Sequence, residues 1–104
     1  MIKKQFLKSK PVCKVTFSLP GEQVNNAEQV QLVGEFSNWL EQPIEMKKQK
    51  DGSFKAVVEL ETGKDYQFRY FVNGNSWTND GAADRYIPTG ISFEENSVVS
   101  LSEN

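Results

Sequence analysis

Histidine is absent from this sequence, cysteine occurs once, and no apolar run approaches membrane length. Each shortage closes a class of function. Without histidine, the side chain most often used as a general acid or base near neutral pH is missing. No histidine–cysteine spacing of a zinc site can be drawn, so neither a metal nor a cofactor is expected. The single Cys13 cannot form an internal disulfide, which fits a reducing compartment. A membrane span needs roughly 20 apolar residues, and none is present. The opening stretch "MIKKQFLKSKP" is basic but lacks the apolar centre of a signal peptide. We therefore expect a cytoplasmic protein with no membrane partner. The formal net charge of -2 gives no electrostatic reason to bind a phosphate backbone, so nucleic acid is not an expected partner either. The glycines form no phosphate-cradling motif.

What is present is alternation. The chain has 104 residues, 38% apolar and 25% charged, enough for one globular domain. Cys13, Val15, Phe17 and Leu19 alternate with polar residues. So do Val30 and Leu32, then Phe54, Ala56, Val58 and Leu60, then Tyr66, Phe68, Tyr70 and Val72. A period of two marks half-buried strands, and no window carries a helical stripe. Turn pairs punctuate the runs: Pro20-Gly21, Asp51-Gly52, Thr62-Gly63, Asn73-Gly74 and Asp80-Gly81. Several short strands at this spacing predict an all-β sandwich. Residues 13–104 form the predicted module; residues 1–12 form an arm or an added edge strand, their four lysines solvated.

Two hairpins can be registered by arithmetic. Around "KQKDGSFK", a three-residue loop Lys50-Asp51-Gly52 sets Met46 opposite Ala56 and Ile44 opposite Val58. A two-residue loop would set polar side chains opposite core ones. The longer loop is therefore expected, with Gly52 in the left-handed conformation. In "QFRYFVNGNSWTN" the choice stays open. A two-residue Asn73-Gly74 turn pairs Tyr70 with Trp77 and buries the indole. A three-residue loop, with Asn75 in the left-handed conformation, pairs Phe71 with Trp77 and leaves the indole beside Arg69 on the outer face.

Few residues suggest catalysis. Cys13, on the core side of a strand, reads as a small hydrophobe. Asp80 and Asp84 share a loop, where acids are usually solvated. In "DRYIP", Asp84 and Arg85 read as a local surface pair, with Tyr86 and Ile87 tucking the loop and Pro88 stiffening it. A different signal comes from "GEFSNW", residues 34–39, which puts Trp39 on a turn, where burial is difficult. Trp39, Arg69 and Trp77 could together form an aromatic platform with a polar rim. An indole can cover the C–H face of a sugar ring, and a guanidinium or amide can bond its hydroxyls.

Those same stretches carry a resemblance. "VQLVGEFSNW", "YQFRYFVNGNSW" and "ENSVVSL", in that order, resemble the motifs of the family 48 carbohydrate-binding modules. These are the glycogen-binding type found on the β subunit of AMP-activated protein kinase and ahead of the catalytic domains of branching enzymes and isoamylases. The similarity runs from about Val15 to Leu101. It implies an immunoglobulin-like early-set β-sandwich that binds α-1,4-glucan on one exposed face. Carried over by motif, Trp39 and Trp77 would stack on glucose rings, Arg69 would contact sugar hydroxyls, Asn96 would bond the glucan, and Phe36 would fill the core. The turn before Trp77 is one residue longer than in the kinase module. Phe93-Glu94-Glu95 precedes Asn96 and changes the charge at the site's edge. Ile91 or Phe93 would replace the apolar residue that projects through a glucan coil. The expectation is a stand-alone, non-catalytic module, and the partner that the resemblance implies is an α-glucan polysaccharide or maltooligosaccharide. The alternative is a docking module for a separate glucan-metabolising enzyme.

Overall fold

The alternating runs become strands whose apolar sides meet. The computed structural model describes residues 2–25, 27–90 and 94–102. One sheet holds β1 (Ile2–Phe6), β2 (Val12–Leu19), β6 (Phe54–Glu61) and β5 (Lys47–Lys48), in the spatial order β1-β2-β6-β5. The other holds β4 (Ile44–Glu45), β3 (Val30–Gly34), β7 (Asp65–Val72), β10 (Glu95–Ser100) and β9 (Arg85–Pro88), in the order β4-β3-β7-β10-β9, with β8 (Ser76–Thr78) also paired to β7. Neighbouring strands are antiparallel throughout. The result is the all-β sandwich that the alternation predicts. No helix among the described residues is long and apolar enough to cross a membrane.

The inward faces interlock. Phe17 of β2 meets Phe68 of β7 edge to face, with ring centroids 5.0 Å apart, and Phe68 meets Tyr70 in the same way at 5.7 Å. Cys13, Val15, Leu32 and Val99 complete a core with no exposed surface. Cys13 thus serves as the buried hydrophobe it was read to be. Phe36 packs on the margin of this core against Phe17 and Tyr66.

The first hairpin has the register that the apolar pattern demands. Lys48 stands opposite Phe54, and Gly52 takes a φ of 90°. Met46, opposite Ala56 by the same arithmetic, is buried. The pairing does not continue to Ile44 and Val58 as expected. Ile44 pairs instead with Leu32 in the opposite sheet. The chain changes sheets at Met46, whose N–H donates to the Val30 carbonyl at 3.0 Å. Period-two reasoning cannot see such a crossover, because the apolar side faces the same core before and after it.

The second hairpin satisfies both local and register demands. Asn73 and Gly74 have φ of 50° and 71°, and Asn75 N–H donates to the Val72 carbonyl, the pattern of a type I′ turn. The ladder nevertheless resumes with Val72 opposite Ser76 and Phe71 opposite Trp77. Asn75 is the extra residue, a bulge that shifts the register by one. The left-handed positions are therefore Asn73 and Gly74, not the expected Asn75. Asn73 is further held by its side chain, whose Oδ1 accepts from the N–H groups of Glu28 and Gln29.

The "DRYIP" segment is a strand, β9, and its expected local ion pair is not made. Asp84 pairs with Lys4 at 2.7 Å, and Arg85 with Asp65 at 2.6 Å. Asp84 lies in a bend just before β9, and both residues find their partners on other elements. Lys4, expected to be solvated, thereby links β1 to the segment leading into β9.

Gly34, at the end of β3, sits where no side chain fits. A Cβ there would lie 2.5 Å from the Gln67 carbonyl oxygen and 2.8 Å from Phe68 Cβ. Both obstacles are held in the sheet. Gly34→Ala should therefore destabilise the protein by roughly 1–3 kcal/mol, read as a lower urea midpoint at unchanged slope.

Candidate functional site

Residues directly opposite in a ladder share a face. Val33 stands opposite Arg69, Phe71 opposite Trp77, and Val98 opposite Gln67. The outward face of the second sheet thus carries Val33, then Gln67, Arg69 and Phe71 along β7, then Trp77, then Asn96 and Val98 on β10. Val33 and Val98 have no exposed surface, yet neither belongs to the core between the sheets. This face is covered by side chains where an outer sheet face would ordinarily be wet.

The register also explains a gap. Beside β7, the β10 ladder ends with Ser97 opposite Phe68, and the β8 ladder begins with Thr78 opposite Tyr70. Arg69 lies at the handover between the two strands. Asn79 bridges it by donating from Nδ2 to the Glu95 carbonyl at 2.8 Å. A shallow depression of about 360 Å³ opens over this point, lined by Trp39, Arg69, Trp77, Thr89 and Asn96. All four residues singled out in the sequence, Trp39, Arg69, Trp77 and Asn96, line this one depression. Thr89 was not anticipated; it directly follows β9 and lies outside any alternating run, so no pattern marks it. Ile91 and Phe93 lie outside the described residues.

Each wall is held in place by a specific device. Asn38 and Trp39 have φ of 50° and 56°, consecutive left-handed residues within tight 3₁₀ turns. For a bulky residue this conformation costs on the order of 1–3 kcal/mol. The buried Ser37 hydroxyl supports it. Its oxygen accepts from Gly34 N–H at 3.0 Å, and its proton is shared between the carbonyls of Gly34 and Trp39. The strained turn presents the indole half-buried at the rim, where a regular strand would have aimed it squarely inward or outward.

Trp77 is 37% exposed and rests on Phe71, centroids 4.5 Å apart. The Arg69 guanidinium carbon lies 5.1 Å from the Trp77 ring centroid, within cation–π range. Arg69 Nη2 donates to Glu94 Oε1 at 2.7 Å, while Arg69 Nε is buried with no hydrogen-bond partner. The guanidinium is thus held from two sides, by the indole and by Glu94. Asn96 is only 8% exposed and donates from Nδ2 to Gln67 Oε1 at 3.1 Å. Gln67 is a supporting residue that the alternation along β7 could have revealed, since it shares Arg69's side of the strand.

Beneath this wall lies a buried acid. Asp80, expected to be solvated, has no exposed surface. It accepts from Tyr70 Oη at 2.6 Å and from Ala82 N–H at 2.8 Å, and its own N–H donates to Ser97 Oγ at 3.0 Å. Tyr86 Oη donates to its carbonyl. Burial, then the Asp80 charge, hold the Tyr70 hydroxyl far above the usual tyrosine pKa, so it remains a proton donor. Asp80 therefore anchors the strand junction. Among the described residues, no group of three or more His, Cys, Asp or Glu side chains could hold a metal ion.

The chain is a two-sheet sandwich that carries an aromatic, guanidinium-braced depression on one outer face. The chain matches the family described as the glycogen recognition site of AMP-activated protein kinase over residues 14–91, three quarters of its length, and belongs to that family of carbohydrate-binding modules. Trp39, Arg69 and Trp77 fall inside the match; Asn96 lies beyond it. No curated protein sequence matches the chain. Among solved structures, it is similar to part of the enterobactin esterase FES from Shigella flexneri, with a TM-score of 0.70 and 12% identity over 96% of this chain. It is also similar to part of a candidate alpha amylase from Salmonella typhimurium, with a TM-score of 0.57 and 14% identity over 93% of this chain. It spans 32% and 14% of those two chains. At such identities the likeness is one of fold.

Removing the Ser37 hydroxyl should release the strained turn. Ser37→Ala is expected to cost about 1–3 kcal/mol, because the buried Gly34 N–H loses its partner. In a Trp77→Phe background, the emission of the remaining Trp39 should broaden and shift to longer wavelength. Unchanged emission would mean that the turn holds its shape without the hydroxyl.

Proposed function

We propose that the chain is a non-catalytic module that binds α-1,4-glucan of the glycogen or starch type, with Trp39 and Trp77 as stacking surfaces and Arg69 and Asn96 as hydrogen-bonding groups. The observation that carries this reading is the meeting of these four residues, from four separate segments, at one depression. The family's description as a glycogen recognition site supports the choice of ligand. The chemistry is suited to it. The indoles offer flat apolar area to C–H faces, and the guanidinium and amide offer donors to hydroxyls. An open depression with few polar groups gives weak affinity, roughly micromolar to millimolar.

An alternative is docking on a separate glucan-metabolising enzyme. Leu40, 49% exposed and adjacent to Trp39, is the feature that favours it, since an exposed apolar side chain beside an indole serves a protein partner as well. Hydrolysis has weaker support. Asp80 is wholly enclosed and Asp84 is paired with Lys4, so the two acids do not form the facing pair that glycoside cleavage uses.

Affinity electrophoresis through glycogen-containing gels is the direct test. Wild-type migration should be retarded, and Trp39→Ala or Trp77→Ala should each weaken binding by about five- to tenfold. Unretarded wild-type protein would overturn the glucan reading and leave docking. The protein should also release no reducing sugar from maltooligosaccharides, which a reducing-end assay measures; turnover lost on Asp84→Asn would revive hydrolysis.

A further inference from the structure

Trp77 belongs to a second depression as well. On the other side of the β7–β8 hairpin, a hollow of about 380 Å³ is lined by Gln23, Asn25, Asn75, Ser76 and Thr78, with Trp77 forming the wall it shares with the first. Its chemistry differs from that of the first. Every side chain lining it is uncharged, and most are amides or hydroxyls. The 3₁₀ turn Gly21–Val24 is tied to the strand beside it, since Gln23 Nε2 donates to the Asn79 carbonyl at 2.9 Å and reaches Thr78 Oγ1 at 3.5 Å. Asn73, also at its edge, has its Oδ1 committed to two backbone N–H groups, so what its side chain can still offer is an amide donor. The hollow is therefore preformed.

A neutral wall of amides and hydroxyls has no charge with which to select an anion or a cation. It presents mixed donors and acceptors at short intervals beside an aromatic ring, which suits a neutral polyhydroxylated chain. We propose that this hollow is a second subsite for the same glucan chain, entered over the edge of Trp77, so that the module grips a longer oligosaccharide than the first depression alone can contact. The inference rests on the glucan reading above. The bulge at Asn75 is what builds the subsite. The extra residue turns Trp77 to the outer face and itself adds an amide to the hollow's rim.

The prediction concerns chain length. Calorimetric titration with maltotriose and with maltoheptaose should give wild type a roughly three- to tenfold preference for the longer ligand. The double variant Asn25→Gly/Asn75→Ala should lose that preference while keeping its affinity for maltotriose. Glycine is chosen at position 25 because Asn25 has a φ of 51°. Wild type supplies a readout independent of variant folding. In amide-resolved NMR titrations, the side-chain NH2 signals of Gln23 and Asn25, remote in sequence from Trp77, should shift with maltoheptaose and stay put with maltotriose. Binding of both ligands with equal affinity, or full length preference in the double variant, overturns the second subsite and leaves the glucan reading intact. Binding of neither ligand by wild type overturns both.

Discussion

Strand β7 holds the two halves of this protein together because its side chains must alternate. Tyr66, Phe68, Tyr70 and Val72 enter the core, and the residues between them, Gln67, Arg69 and Phe71, form the middle of the outer face. Core and depression are built on opposite sides of one eight-residue strand. Moving its register by one residue would bury a guanidinium and expose four large apolar side chains, so the core's preference also fixes where Arg69 points. The Tyr70–Asp80 hydrogen bond lies on the inward side of this strand and ties it to the segment following β8. A carboxyl with no exposed surface needs such partners; the Tyr70 hydroxyl and Ala82 N–H donate to it, while Ser97 Oγ accepts from the residue's own N–H.

The depression exists because β7 changes neighbours halfway along. A continuous partner strand would fill the space beside Arg69 with another row of side chains. Here β10 stops and β8 begins, and the two ends bring Asn96 and Trp77 to either side of the guanidinium. The stack of Phe71, Trp77 and Arg69 is then held by contact on both sides, and Glu94 holds the outer end of the arginine. These side chains are thus already ordered at the depression.

Much of this architecture is readable in the residues. Period-two alternation marks β2, β3, β6 and β7 because one side of each faces the core between the sheets. The longer Lys50–Gly52 loop follows from the same pattern. Other features escape for identifiable reasons. The sheet switch at Met46 leaves the apolar period unbroken, so Ile44 was matched to the wrong strand. Asp80 reads as a loop acid because the Tyr70 hydroxyl that encloses it is ten positions away in sequence. Asp84 and Arg85 look like partners because they are adjacent, but Lys4 and Asp65, distant in sequence, are brought to them by the fold. Thr89 and Ser37 carry no periodic signal, since one follows the end of β9 and the other sits in a 3₁₀ turn.

By itself the sequence determined which residues are apolar on one side, where the chain must turn, and that it holds no histidine, one cysteine and no apolar run of membrane length. It left open which face Trp77 occupies. Local preference for an Asn-Gly turn and the demand of the ladder point to different registers when each is considered alone. The tertiary structure decided the matter by keeping the tight turn and letting Asn75 bulge, which preserves both the turn's hydrogen bond and the core's alternation. It likewise brought Asn96 beside Arg69, a proximity set by the pairing of β10 with β7 across the sheet and invisible to any local pattern.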